Sequence, residues 1–142
     1  MENEARYGDE PTYIVEAAHS RGMSLNEYQR LAMTTCMESC DNISYMLLNL
    51  VGEVGEFASK VAKHIRKGKA EIVDNRLVDG ANDSLKQEDI ADLRKEAGDC
   101  LWQIAGLCRV MGWTLDDVAK ENLSKFADRK ARGAIDSNGD NR

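Results

Sequence analysis

The stretch Asn49-Leu50-Val51-Gly52-Glu53-Val54-Gly55-Glu56-Phe57-Ala58-Ser59-Lys60-Val61-Ala62-Lys63-His64-Ile65-Arg66-Lys67 decides how the rest of the chain is read. Met46, Leu47, Leu50, Val51, Val54, Phe57, Ala58, Val61 and Ile65 recur at steps of three and four, the period of one face of an α-helix. Such a face is expected to be buried. Glu53, Glu56 and Lys60 keep the same period but sit about 80° to 140° around from it, at about 100° per residue, and so form a second line beside the apolar one. Taken alone, Glu56 and Lys60 are an i,i+4 pair in the favourable order, an arrangement that a solvated helix face uses without any function.

A second segment repeats the pattern. Lys95-Glu96-Ala97-Gly98-Asp99-Cys100-Leu101-Trp102-Gln103 again sets two acidic residues three apart beside an apolar stripe, here Ile90, Leu93, Ala97, Leu101, Ile104, Leu107 and Met111. Packing the two helices side by side through their stripes would let the acidic lines face each other. Carboxylates about 5 Å apart repel by roughly 3 kcal/mol per pair at an effective dielectric of about 20, so a proton or a cation is needed between them. All-oxygen ligation suits Mg²⁺, with Mn²⁺ as the alternative. A di-iron carboxylate site would require Glu-x-x-His on two helices, whereas Glu53 is followed at i+3 by Glu56 and Glu96 by Asp99.

Helix boundaries are marked along the chain. Ser24-Leu25-Asn26-Glu27 is a capping box that opens a first helix through Tyr28, Leu31, Ala32 and Thr35. Asp41 or Asn42 caps the second, which ends near Gly68 behind Arg66 and Lys67. Residues 68–83 lose the period and carry the turn-formers Asp74-Asn75 and Asp79-Gly80, which predicts a long loop with a small hairpin from Ile72 to Val78. Ser84-Leu85-Lys86-Gln87 predicts the start of a third helix that Gly112 stops, and Thr114 starts a fourth that runs to about Arg132. Residues 1–23 are expected to be a tail with a short helix around Tyr13 to His19, and 24–142 to form the domain. The fold class expected is all-α, a bundle of four main helices.

Composition narrows the function classes. A length of 142 residues fits one domain with a modest core, and a single proline with few aromatics favours helix. The net charge of −6 disfavours a polynucleotide partner but not a free nucleotide. The polar, acidic N-terminus and the lack of a long apolar run lead us to expect a cytoplasmic protein with no membrane partner. Cys36, Cys40, Cys100 and Cys108 contain no C-x-x-C, so small buried thiols are expected rather than a zinc site.

Three segments carry a resemblance. Gly52-Glu53-Val54-Gly55-Glu56, then Glu96-Ala97-Gly98-Asp99-Cys100-Leu101-Trp102, then Asn122 to Gly133, are similar to the MazG-like nucleotide pyrophosphohydrolases of the all-α NTP pyrophosphatase superfamily. The interval between the two acidic motifs is longer than in compact members, with the surplus in residues 68–83. The resemblance implies Mg²⁺-dependent hydrolysis of a nucleoside triphosphate to the monophosphate and pyrophosphate, with Glu53, Glu56, Glu96 and Asp99 as the metal-binding and catalytic carboxylates. It also places Lys60, Asn122, Lys125 and Arg129 at the phosphates; a solvated basic face is the alternative for Lys125 and Arg129. A homodimer or homotetramer is expected, partly from the family and partly because helices of this length leave apolar surface that a second copy could cover. Trp102 reads as a core or interface residue ahead of a base-stacking one. The competing reading of the whole chain is a non-catalytic helical dimer that binds nucleotide or a partner protein.

Overall fold

In the computed structural model the described residues are 22–135 together with Ile14, Ala18 and His19. Of the short helix expected around Tyr13 to His19, Ile14, Ala18 and His19 are helical, and the rest lies outside the described residues. From Leu25 onward the chain forms α1 (Leu25–Met33), a 3₁₀ turn (Glu38–Cys40), α2 (Ile43–Arg66), strands β1 (Ala70–Val73) and β2 (Arg76–Asp79), α3 (Gln87–Val110) and α4 (Leu115–Ala131). The described residues from Leu25 onward are thus mostly helical, with four helices and one two-stranded sheet. None of these helices is long and apolar enough to cross a membrane.

Side chains of the local sequence set the helix ends. The Ser24 hydroxyl accepts from the Glu27 amide, Asn42 Oδ1 from the Tyr45 amide and the Thr114 hydroxyl from the Asp117 amide, at 3.1, 2.9 and 3.1 Å. At the far end of α2, Gly68 adopts φ +70°, which lets the Lys69 amide reach back to the His64 carbonyl at 3.0 Å and closes the helix with a Schellman turn. The start of α3 differs from expectation. The helix begins at Gln87, and the Asp89 carboxylate accepts from the Lys86 amide at 2.9 Å, so the cap is made by an acidic group reaching back rather than by Ser84. α1 likewise stops at Met33, where the Thr34 and Thr35 hydroxyls bond back to the Leu31 and Ala32 carbonyls.

The chain forms two compact units, the first holding Met1–Thr35 and Cys108–Arg142 and the second Cys36–Leu107. In the first, α1 meets the turn into α4 through backbone-directed side chains: Gln29 donates to the Trp113 carbonyl and accepts from the Leu115 amide, and Asn26 accepts from the Asp116 amide. Among its described residues Leu31, Met33, Cys108 and Leu115 are the buried apolar ones. In the second, α2 and α3 run antiparallel, because Met46 meets Gly106 while Lys60 meets Glu96 and His64 lies near Asp89. The hairpin is longer than expected, pairing Ala70 with Asp79 through to Val73 with Arg76. Asp74 and Asn75 both take positive φ, as a two-residue type I′ turn requires. A two-stranded hairpin is marginal by itself. This one is tied down by the buried Ala70, by the Gly80 amide on the Lys69 carbonyl at 2.9 Å, and by Lys69 Nζ on both Asp89 oxygens.

One expectation about packing is overturned. Among the described residues most of the apolar stripe of α2 is left uncovered: Met46 is buried and Leu50 and Val61 are half-buried, but Leu47, Val51, Val54, Phe57 and Ile65 are all exposed, Val51 by 72%. On α3, Ala97, Leu101 and Ile104 are exposed as well. What α2 turns toward α3 is the line through Met46, Asn49, Glu53, Lys60 and His64, and α3 answers with Leu93, Glu96, Cys100, Gln103 and Gly106. The seam takes Met46 and Leu93 from the apolar stripes and its other members from the polar lines, and the remaining stripe residues flank it.

Candidate metal centre

Glu53, Glu56 and Glu96 each offer a carboxylate oxygen, and these oxygens all lie within 4.8 Å of one another. The grouping follows from the helical period. Glu53 and Glu56 are three apart on α2 and so share a side of it, and antiparallel packing brings Glu96 of α3 opposite them. Glu96 is buried at 6% exposure, Glu53 is half-buried and Glu56 is exposed, so the group opens from a dry floor toward water. Asp99 lies outside this group of three but close enough for its charge to be felt at Glu53.

The electrostatics are those of carboxylates held too close. Burial pushes the Glu53 carboxyl above its ordinary range, and the charges of Asp99, Glu56 and Glu96 push it further. Asn49 opposes the shift by donating from Nδ2 to Glu53 Oε1 at 3.0 Å, which also fixes the rotamer. The same negative field reaches Cys100, whose thiol is raised first by burial and then by Glu53 and Asp99. Lys60 supplies the nearest positive charge, with Nζ 2.6 Å from Glu96 Oε1.

The residues fit a hard divalent cation. Three carboxylates on two rigid helices form an oxygen-only donor set of the kind Mg²⁺ and Mn²⁺ take. Glu96 Oε2 is buried with no hydrogen-bond partner, an acceptor that a cation would satisfy and that otherwise carries an uncompensated desolvation cost.

The remaining expected site residues fall in the other unit. Asn122 and Lys125 are exposed on α4 and, with Val118 and Glu121, line a shallow cavity of about 360 Å³. Arg129 is not part of a solvated face, since it is 8% exposed, with its guanidinium 5.8 Å from the Phe126 ring centre. Trp102 is half-buried. All four cysteines are thiols, with Cys40 and Cys108 buried and Cys36 and Cys100 half-buried.

Two residues on the same helix lines as the carboxylates were not singled out from the sequence. Asn49 is four before Glu53, the spacing at which a helix brings side chains together, and that spacing was a usable signal. Gln103 is buried at 3% exposure with Oε1 unpartnered, and it lies seven beyond Glu96 on the same line of α3. Its spacing was visible, but its burial depended on which face of α3 turned inward.

Known proteins support the assignment that this geometry suggests. The profile of the MazG nucleotide pyrophosphohydrolase domain matches residues 42–133. The Gene 37 protein of Mycobacterium phage L5 is 35% identical over 127 residues, an alignment that takes in 84% of this chain and 100% of the phage protein. No solved structure matches the chain. The matched span runs from the cap of α2 to the end of α4 and includes every carboxylate of the centre, and the chain belongs to the MazG nucleotide pyrophosphohydrolase family.

Proposed function

We propose that the protein is a Mg²⁺-dependent hydrolase, with Mn²⁺ as a substitute, that converts a nucleoside triphosphate to its monophosphate and pyrophosphate. The observation that carries this reading is the grouping of Glu53, Glu56 and Glu96, the last with a buried and unpartnered oxygen, in a chain of the pyrophosphohydrolase family. Glu53, Glu56 and Glu96 would hold the cation, with Asp99 completing the set. Bound there, a divalent ion supplies a Lewis acid that draws charge off phosphate oxygens and acidifies a nearby water.

The chain's own groups do the rest. Glu53 is suited to orient and deprotonate the attacking water, because burial and its acidic neighbours raise its proton affinity toward the range a general base needs. Asn49 holds that carboxylate in one rotamer. Lys60, Asn122, Lys125 and Arg129 are assigned to the phosphates, where a guanidinium grips oxygens in pairs and an ammonium acts as a point charge. We further propose a homodimer or homotetramer working in the cytoplasm on free nucleotide, in which the exposed stripes of α2 and α3 are covered by another copy.

Turnover of a nucleotide panel with Mg²⁺, with Mn²⁺ and with a chelator tests the proposal. Activity should require the ion and should vanish in Glu96→Gln. Absence of turnover for every nucleotide with either ion would leave the family domain serving as a binding module instead.

A further inference from the structure

Two cations have a claim on one carboxylate. Lys60 Nζ lies 2.6 Å from Glu96 Oε1 and 4.0 Å from Asp92 Oδ2. The Glu96 side chain is 8% exposed, that of Lys60 31% and that of Asp92 53%, so the ammonium spans a dry acceptor and a wet one a helical turn apart on α3. A buried carboxylate with no counter-charge is costly, and Lys60 removes that cost on one side of Glu96 only. The other oxygen, Oε2, is buried without a partner, and Glu53 and Glu56 bring an oxygen each to within 4.8 Å of Glu96. An ammonium at Oε1 leaves that side unsatisfied, whereas a divalent ion held by all three carboxylates would not need the ammonium.

We propose that Lys60 is the internal counter-ion of this centre. It occupies Glu96 while the protein is metal-free and is displaced toward Asp92 when a divalent cation binds. The inference rests on the reading that these carboxylates take such a cation. Metal affinity is then set by competition: part of the ion's binding energy goes into moving an ammonium off a buried carboxylate. Asp92 is a suitable second resting place, because it is exposed and, while Lys95 pairs with its Oδ1 at 3.1 Å, its Oδ2 already lies 4.0 Å from the Lys60 ammonium. The displacement also has a use in the reaction. The ammonium leaves Glu96 when the ion arrives and becomes available to the oxygens of an incoming polyphosphate, so one side chain guards the empty site and serves the loaded one.

The test needs no turnover. Mg²⁺ and Mn²⁺ binding would be measured by calorimetry on the full chain without nucleotide, for the parent, Lys60→Gln and Lys60→Arg, beside their melting temperatures in chelator. Lys60→Gln should bind either ion about tenfold more tightly than the parent while melting lower when metal-free, and Lys60→Arg should stay near the parent's affinity. Equal or weaker binding by Lys60→Gln would overturn the competition, since removing a competitor cannot weaken its rival. No binding of either ion by any of the three would instead remove the metal reading on which the inference rests. Should Lys60→Gln fail to fold, the parent still decides. In protein carrying ¹⁵N-labelled lysine, the Nζ resonance missing from Lys60→Arg should shift on Mg²⁺ saturation, and an unmoved resonance contradicts the displacement.

Discussion

Met46 is fully buried, and its thioether occupies the space that a side chain on Gly106 would fill, which fixes how closely α2 and α3 approach near the start of α2. A Cβ at Gly106 would overlap the Met46 sulfur and terminal methyl, so Gly106→Ala must push a flexible side chain aside or spread the helices. A loss of about 1–3 kcal/mol is expected from such overpacking. The measurement is a denaturant titration, in which the midpoint should fall with little change in slope. Met46→Leu combined with Gly106→Ala should recover part of the loss, because the two sites share one space.

That contact also shows what the sequence could and could not reveal. The four helices, the caps at Ser24 and Thr114, the Asn42 cap as one of two candidates with Asp41, and the stops at Gly68 and Gly112 were legible, because capping chemistry is local and the apolar period is long. The acidic lines containing Glu53, Glu56 and Glu96 were legible for the same reason. Which line turned inward was not. Hydrophobicity argues that the Val51 and Val54 stripe should be covered, yet within one chain the helices pair along Glu53, Lys60 and Glu96, an outcome set by Gly106, by Met46 and by the Lys60 ion pair rather than by periodicity. The cap of α3 was misplaced by two residues, from Lys86 to Ser84, because Asp89 reaching back to Lys86 has no marker as plain as a serine.

The raised Glu53 carboxyl has a consequence for the metal-free protein. Its proton affinity is higher folded than unfolded, so the native state binds more protons across the interval between the two pKa values. Its contribution to stability is therefore full below the unfolded pKa, near the ordinary glutamate value, and is lost as pH rises through the folded one. The melting temperature in chelator should fall over that interval, and Glu53→Gln should flatten the profile. A melting temperature that rises through the same interval in the parent, to the same degree as in Glu53→Gln, would remove Glu53 as the cause. Divalent ions need the ionised carboxylate, so their affinity should run the other way and strengthen as pH rises.

The uncovered stripe makes a separate prediction about assembly. Val51 is 72% exposed and Val54 55%, beside Leu47 and Phe57 on the same helix, which is more contiguous apolar surface than a helix facing water ordinarily carries. Light scattering on the parent should give a mass of at least two chains. Val51→Lys together with Val54→Glu should shift that mass toward the single chain, with helicity retained at concentrations where the parent is assembled. A monomeric parent at those concentrations would leave the stripe without a second copy to cover it.

The proposed chemistry depends first on which phosphoanhydride bond is broken. A cation held by Glu53, Glu56 and Glu96 beside the α-phosphate, with Glu53 directing the water, should release pyrophosphate as one piece. The measurement is product analysis of a nucleoside triphosphate incubated with the protein and Mg²⁺, with and without added inorganic pyrophosphatase, alongside Glu53→Gln and Asp99→Asn. Monophosphate and pyrophosphate are expected in equal amounts, orthophosphate only when the helper enzyme is present, and neither product from the two variants. Orthophosphate and a nucleoside diphosphate without the helper enzyme, or full activity in Glu53→Gln, would contradict the proposed chemistry.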